Sequence, residues 1–200
     1  YHETHGAFAT LALTSVEDPL QFGVVMTDNG GRIMKFLEKP GWGEVFSDTI
    51  NTGIYVMEPE SLKYIPADKP FDFSKDLFPL LMANNQPLYG YKAKGYWRDV
   101  GNPDAYRQTC IEILEGKIKI PCAGTCYDFE HGQLFVEDER KFEGVEIKGK
   151  VAAGKNITIG KNVNLSNCIL GDNVVIKSNA EIRDSVIWDN VTVGQDNAIN

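Results

Sequence analysis

No apolar run in this 200-residue chain approaches the roughly 18–20 residues that a membrane-spanning helix needs. Nor do its first residues show a charged segment followed by an apolar one, so no secretory leader is read there. Histidine is scarce: His2, His5 and His131 stand apart, and each reads as a surface residue. Cysteine is scarce as well, at positions 110, 122, 126 and 168. Cys122 and Cys126 are near neighbours, but no second pair and no nearby His completes a tetrahedral zinc set. The four read as reduced thiols of a cytoplasmic protein. A basic surplus is missing too. Twenty Lys and Arg against 28 Asp and Glu leave a net charge of −8, which argues against nucleic acid and against an anionic membrane surface as partners. A phosphorylated small molecule held by a few local cations remains open.

What is present begins with a six-residue period over residues 147–192. Ile147, Ala153, Ile159 and Leu165 form one apolar series, and Val151, Ile157, Val163 and Ile169 a second. After a one-residue slip the pattern resumes at Leu170, Ile176, Ile182 and Trp188, with Val174, Ala180, Val186 and Thr192 as partners. Gly154, Gly160 and Gly171 follow series members, where tight corners need an unhindered backbone. This is the signature of a parallel β-helix with about 18 residues per coil, each coil burying small apolar side chains against the next. Ile159, Val163, Leu165 and Ile169 should point inward. Trp188 is large for such an interior; it reads either as part of an association surface or as a plug closing a coil end. The near match to a phosphate loop at 149–156 lies inside this register. Asn156 stands where a Ser or Thr would be needed, so the match carries no phosphate site.

The first part of the chain mixes strands and helices. Residues 7–14, 22–27 and 32–38 read as strands, the last two joined by a Gly- and Asn-containing hairpin turn. Residues 50–57 and 88–93 read as further strands. Pro59–Tyr64 fits a short helix, and Ser74 can cap another that carries Leu77, Leu80 and Leu81. The clearest helix runs from Asn102 as N-cap, with Pro103 first inside, to Gly116 as stop. The expected organisation is α/β: a domain of mixed strands and helices over 1–116, a connector over 117–144, and the β-helix over 145–200.

Three segments carry candidate chemistry. At Glu38-Lys39-Pro40 a strand ends in adjacent opposite charges: a carboxylate able to accept from sugar hydroxyls and an ammonium able to hold a phosphate, or else a solvated pair. Asn51 and Gly53 lie within a strand pattern, where a Gly marks close approach of a ligand or simply a bulge. Asp99 follows Gly95-Tyr96-Trp97-Arg98, which reads as a strand. An Asp at a strand's C-terminal end suits Mg²⁺, or else caps its own turn.

Read in order, these segments resemble the sugar-1-phosphate nucleotidylyltransferases, closest to the bacterial mannose-1-phosphate guanylyltransferases that carry a C-terminal hexapeptide repeat. The likeness rests on residues 19–25, FLEKP at 36–40, INTGIYV at 50–56, DFSKDLFP at 72–79 and GYWRDVGNPDAY at 95–106. It implies a partial mixed-sheet, Rossmann-like domain followed by a left-handed β-helix, and transfer of a nucleotidyl group from a nucleoside triphosphate to a sugar-1-phosphate, with loss of pyrophosphate. It also implies roles. Glu38 would hold the sugar and Lys39 its phosphate, Asn51 and Gly53 would line the sugar pocket, and Gly23 would approach sugar or ribose by its backbone. Asp99 would be one of two Mg²⁺-binding aspartates. GDP-mannose is the product the likeness favours; glucose-1-phosphate adenylyl- and thymidylyltransferases, and a non-catalytic regulatory homologue that binds a nucleotide sugar, are the alternatives. The family's G-x-G-T-R-L triphosphate loop does not occur in the sequence. The expectation is therefore a fragment that is inactive alone, from a protein that forms a homo-oligomer.

Overall fold

The computed structural model describes residues 1–120 and 124–200. The chain divides into two compact units, Tyr1–Trp97 and Arg98–Asn200. The sequence reading placed the division after residue 116; by packing, the helix that follows Asn102 goes with the second unit.

The first unit is built on five strands: β1 (Ala9–Ser15), β2 (Gly23–Thr27), β3 (Ile33–Glu38), β4 (Thr49–Met57) and β5 (Leu88–Lys92). They lie in the order β3-β2-β4-β1-β5. β1 runs parallel to β5 and antiparallel to β4, so the sheet is mixed. The β2–β3 turn forms because Asp28 Oδ1 accepts from the backbone N–H groups of Gly30 and Arg32, and Gly31 supplies a left-handed φ of 84°. Alternate residues Ala9, Leu11 and Leu13 of β1 are fully buried, together with Val25, Ile33, Leu77, Phe78, Leu81 and Leu88.

Several details depart from the sequence reading. Pro59–Tyr64 is a short helix with the expected bounds, but of the 3₁₀ kind. The helix cap is Asp72, whose Oδ1 accepts from the N–H groups of Ser74 and Lys75; Ser74 lies inside the helix. A carboxylate is the stronger acceptor and it stands two residues earlier. Below that cap the backbone makes a π turn, Phe73–Leu77, before α1 (Phe78–Ala83), with Pro79 tolerated in its first turn. No strand forms over 95–100. β5 ends at Lys92, and Trp97 leaves the sheet to pack edge-on against Phe22 at 5.6 Å.

The second unit is the β-helix. α2 (Pro103–Glu115) starts at Asn102, whose Oδ1 accepts from Ala105 N–H, and stops at Gly116 with φ 83°. The expected connector contains a hairpin, β6 (Thr125–Phe129) and β7 (His131–Val136), and β7 pairs in parallel with β8 (Glu146–Ala153). β8, β10 (Asn164–Leu170), β12 (Glu181–Arg183), β13 (Val186–Ile187) and β15 (Ala198–Ile199) form one run of parallel pairing. β9 (Thr158–Ile159), β11 (Val175–Ile176) and β14 (Thr192–Val193) form another.

The coil period is 18 residues, as expected, where Ile147 pairs with Leu165, and 17 past the slip, where Val151 pairs with Cys168, Thr158 with Val175 and Val175 with Thr192. Each coil drops one residue, at Asn167 and again at Asp184, both in left-handed backbone. The first slip puts Cys168 inside, 0% exposed, while Ile169 lies outward of it. At the second, Ile187 and Val193 are buried where the hexad count chose Trp188 and Thr192; Trp188 is 66% exposed. Val163 and Leu165 are buried as expected, and Ile159 is half-buried. Corners turn on Asn and Asp, with φ between 55° and 62° at Asn156, Asn162, Asn173, Asn179 and Asn190. Gly154 and Gly171 have no positive φ. They are needed because the next coil comes so close that a Cβ would stand 2.2 Å from Asp172 Oδ1 or Asp189 Oδ1. Side chains stack in ladders between coils, Asn156 to Asn173 to Asn190 at 3.0 Å per step.

Candidate functional site

In the first unit, β2 and β3 bring Gly23 and Glu38 opposite one another. A Cβ there would stand 2.6 Å from Glu38 Oε2 and 2.8 Å from the Phe36 ring, so any other residue would push these side chains aside. Gly23 therefore clears a bed for a half-buried carboxylate at a strand end. The next residue, Lys39, is exposed and holds φ 47°, a region that L-residues other than Asn and Asp seldom adopt. Its N–H donates to Phe22 O at 3.0 Å, which ties this turn to the entry of β2. Pro40 and a 3₁₀ turn, Trp42–Glu44, follow, with Gly41 N–H donating to Glu44 Oε2. Opposite charges on adjacent residues, one resting on the sheet and one turned out by a strained backbone, suit a ligand with hydroxyls at one end and a phosphate at the other.

Asn51 and Gly53 form a bulge in β4. Leu11 faces Tyr55 and Leu13 faces Asn51, so four steps along β4 span two along β1. Gly53 takes φ 83° with open space where its Cβ would be. Asn51 is 9% exposed and heavily engaged. Its Nδ2 donates to Tyr55 Oη at 2.8 Å and to Ser74 Oγ at 3.3 Å, and its Oδ1 accepts from Gly53 N–H at 3.0 Å. The sequence reading gave Tyr55 and Ser74 no part here. Both lie in the quoted INTGIYV and DFSKDLFP segments, but which of their atoms meet depends on the size of the bulge and on the π turn.

Asp99 belongs to the second unit. It is exposed, in an irregular segment, and not at a strand end as expected. Its carboxylate folds back over Gly101, where a Cβ would come within 3.3 Å of Asp99 Oδ2. The neighbouring Arg98 donates through Nη2 to both oxygens of buried Glu112, at 2.9 and 3.1 Å, which fixes this segment on α2. Among the described residues no group of three or more His, Cys, Asp or Glu side chains could hold a metal. A lone exposed carboxylate does fit Mg²⁺, which takes one or two protein carboxylates and fills its remaining positions with phosphate oxygens and water. Of the considered zinc pair, Cys126 is exposed and Cys122 lies outside the described residues.

Comparison with known proteins gives two family matches: a nucleotidyl transferase model over residues 1–116, and a GlmU-like C-terminal hexapeptide model over residues 132–200. A UTP–glucose-1-phosphate uridylyltransferase of Synechocystis sp. is 40% identical over 120 residues, covering 59% of this chain and 31% of that protein. A mannose-1-phosphate guanylyltransferase of Mycobacterium tuberculosis is 30% identical over 172 residues, 85% of this chain and 46% of that one. A mannose-1-phosphate guanyltransferase of Schizosaccharomyces pombe is 33% identical over 171 residues, 81% and 40% respectively. The chain thus spans less than half the length of these curated relatives.

Proposed function

Because the chain belongs to the nucleotidyl transferase family over residues 1–116, we propose that it carries the acceptor-sugar side of a sugar-1-phosphate nucleotidylyltransferase acting in the cytoplasm. In the full-length protein an oxygen of the sugar-1-phosphate forms a bond to the α-phosphorus of a nucleoside triphosphate. The bond from that phosphorus to the bridging β-phosphate oxygen breaks, and pyrophosphate leaves. The observation that carries this reading is the Glu38 carboxylate bedded on Gly23 beside a left-handed Lys39. Glu38 accepts from sugar hydroxyls, and Lys39 holds the sugar phosphate and orients its attacking oxygen. Gly23 lets the ligand approach the backbone, and Asn51 and Gly53 line the sugar pocket. Catalysis of this kind is alignment plus neutralisation of phosphate charge. Mg²⁺, when bound, would supply part of that neutralisation, and Asp99 would be a ligand to it from this chain.

Mannose-1-phosphate with GTP is the favoured pair. The relatives whose likeness extends through the repeats as well as the sheet are named for mannose-1-phosphate. A second pair, glucose-1-phosphate with UTP, is favoured by the 40% identity confined to a shorter stretch. The test is pyrophosphate release by the full-length protein, with each of GTP, UTP, ATP and dTTP offered mannose-1-phosphate or glucose-1-phosphate. GTP with mannose-1-phosphate should turn over fastest. Fastest turnover of the UTP–glucose pair would transfer the assignment to the second reading. Silence with all eight pairs would leave a binding-only homologue. The 200-residue chain alone should release no pyrophosphate, since its sequence has no G-x-G-T-R-L loop to hold the leaving group.

A further inference from the structure

We propose that Ser74 and Tyr55 are positioning residues that lock the Asn51 carboxamide, so that it meets a sugar hydroxyl only as an acceptor. The inference rests on the sugar-pocket reading of Asn51 given above and adds to it which way the amide faces and what holds it there.

A carboxamide has two N–H donors and an oxygen with two lone pairs. Both donors of Asn51 are spent, one on Tyr55 Oη at 2.8 Å and one on Ser74 Oγ at 3.3 Å. One lone pair of Oδ1 is spent on Gly53 N–H at 3.0 Å. The opposite orientation would turn the NH₂ group toward the N–H of Gly53, donor against donor, so the backbone of the bulge decides the assignment. Among the described residues the second lone pair of Oδ1 has no partner, which leaves one acceptor site for a ligand. A sugar hydroxyl can donate to it; a fluorine or carbonyl oxygen in the same place cannot.

The two partners are themselves held. The Tyr55 ring packs against Phe73 and Phe78, with centroids 5.9 and 5.0 Å away, which prevents its hydroxyl from swinging off Asn51. Ser74 is delivered by the π turn over Phe73–Leu77, whose start is fixed by the Asp72 cap and by Asp72 N–H donating to Asp76 Oδ2 at 2.8 Å. A π turn takes an extra residue into the helical turn and is frequent at functional sites. The segment DFSKD then has a stated job: its Asp72 and Asp76 build the turn and its Ser74 holds the sugar-facing amide.

The test is a set of variants of the full-length protein: Ser74→Ala, Tyr55→Phe, Ser74→Thr, Asn51→Ala, and Ser74→Ala combined with Asn51→Ala. Calorimetry gives Kd for mannose-1-phosphate and for glucose-1-phosphate, and thermal melts check folding. Ser74→Ala and Tyr55→Phe should each weaken sugar-phosphate binding about three- to tenfold, the effect of one lost neutral hydrogen bond. The KM for the nucleoside triphosphate should stay unchanged, and Ser74→Thr, which keeps the hydroxyl, should bind like wild type. In the Asn51→Ala background, Ser74→Ala should add nothing. A Ser74→Ala effect that persists undiminished in that background overturns the proposal, because the serine then acts without Asn51. So does Asn51→Ala binding weakly while Ser74→Ala and Tyr55→Phe bind normally; that result spares the sugar-pocket reading. Normal binding by Asn51→Ala itself sinks both.

Discussion

Lys39 keeps a left-handed backbone at φ 47°, which for an L-residue costs roughly 1–2 kcal/mol. Asn tolerates that conformation, so Lys39→Asn should raise stability to denaturant by about 1 kcal/mol while weakening sugar-phosphate binding. Chemical denaturation and calorimetry on one sample check both signs. Gly23→Ala makes the reciprocal case. Its Cβ would enter the 2.6 Å gap to Glu38 Oε2 and displace the flexible carboxylate. In the full-length protein the KM for sugar-1-phosphate should rise and that for the nucleotide should not. Cys168 gives a pH signature. Burial pushes its thiol from the ordinary 9.0 up to about 12, with Ser166 pulling it down and Asp184 raising it by smaller amounts. The folded state holds this proton more tightly than the unfolded one. Its contribution is therefore complete below pH 9 and is lost between about pH 9 and 12, by up to about 1.4 kcal/mol per pH unit. Urea titrations across that range should show the slope, and Cys168→Ala should remove it. The strand end at Glu38 was legible in the sequence, because a charged pair before a proline marks one. The Tyr55–Asn51–Ser74 cluster was not. Its members are brought together by a bulge of two extra residues and a π turn, and neither leaves a periodic trace.

At the scale of elements, the β-helix shows how a correct period can yield a wrong register. Inward side chains recur about every six residues from one coil side to the next, so Ile147, Val163, Leu165 and Ile182 were read correctly. The corner at Asp184 drops a residue as the corner at Asn167 did, and Trp188, being apolar, satisfied the uncorrected count. The aromatic in fact lies outside, edge-on to Tyr106 of α2 at 6.0 Å. Asp99 was misplaced for a similar reason. Tyr96 and Trp97 look like strand residues, but the second of them is used to pack on Phe22. The coil corners also fix what the glycines do. Gly171→Ala would place a methyl 2.7 Å from the backbone nitrogen of Asp189. It should destabilise the β-helix by about 1–3 kcal/mol, the usual cost of overpacking. A Gly144→Ala control has open space but φ 73°, so it tests backbone strain without the clash. Unfolding midpoints in urea separate the two.

For the whole molecule, the exposed Trp188 with Tyr106 leads us to expect self-association involving the repeat surface. Light scattering at micromolar concentration should report a homodimer or larger, and Trp188→Ala should shift it toward monomer. A wild-type monomer would end that expectation, and an oligomer indifferent to the substitution would move the interface elsewhere. The ladders of Asn and Asp between coils have a different consequence. Every rung joins a coil to the one 17 residues on and to nothing farther, so the array behaves as a zipper with nearest-neighbour coupling. In such a zipper a change at one rung reaches its two neighbours first. Amide hydrogen exchange should then show Asn173→Ala loosening the coil corners at Asn156 and at Asn190 together.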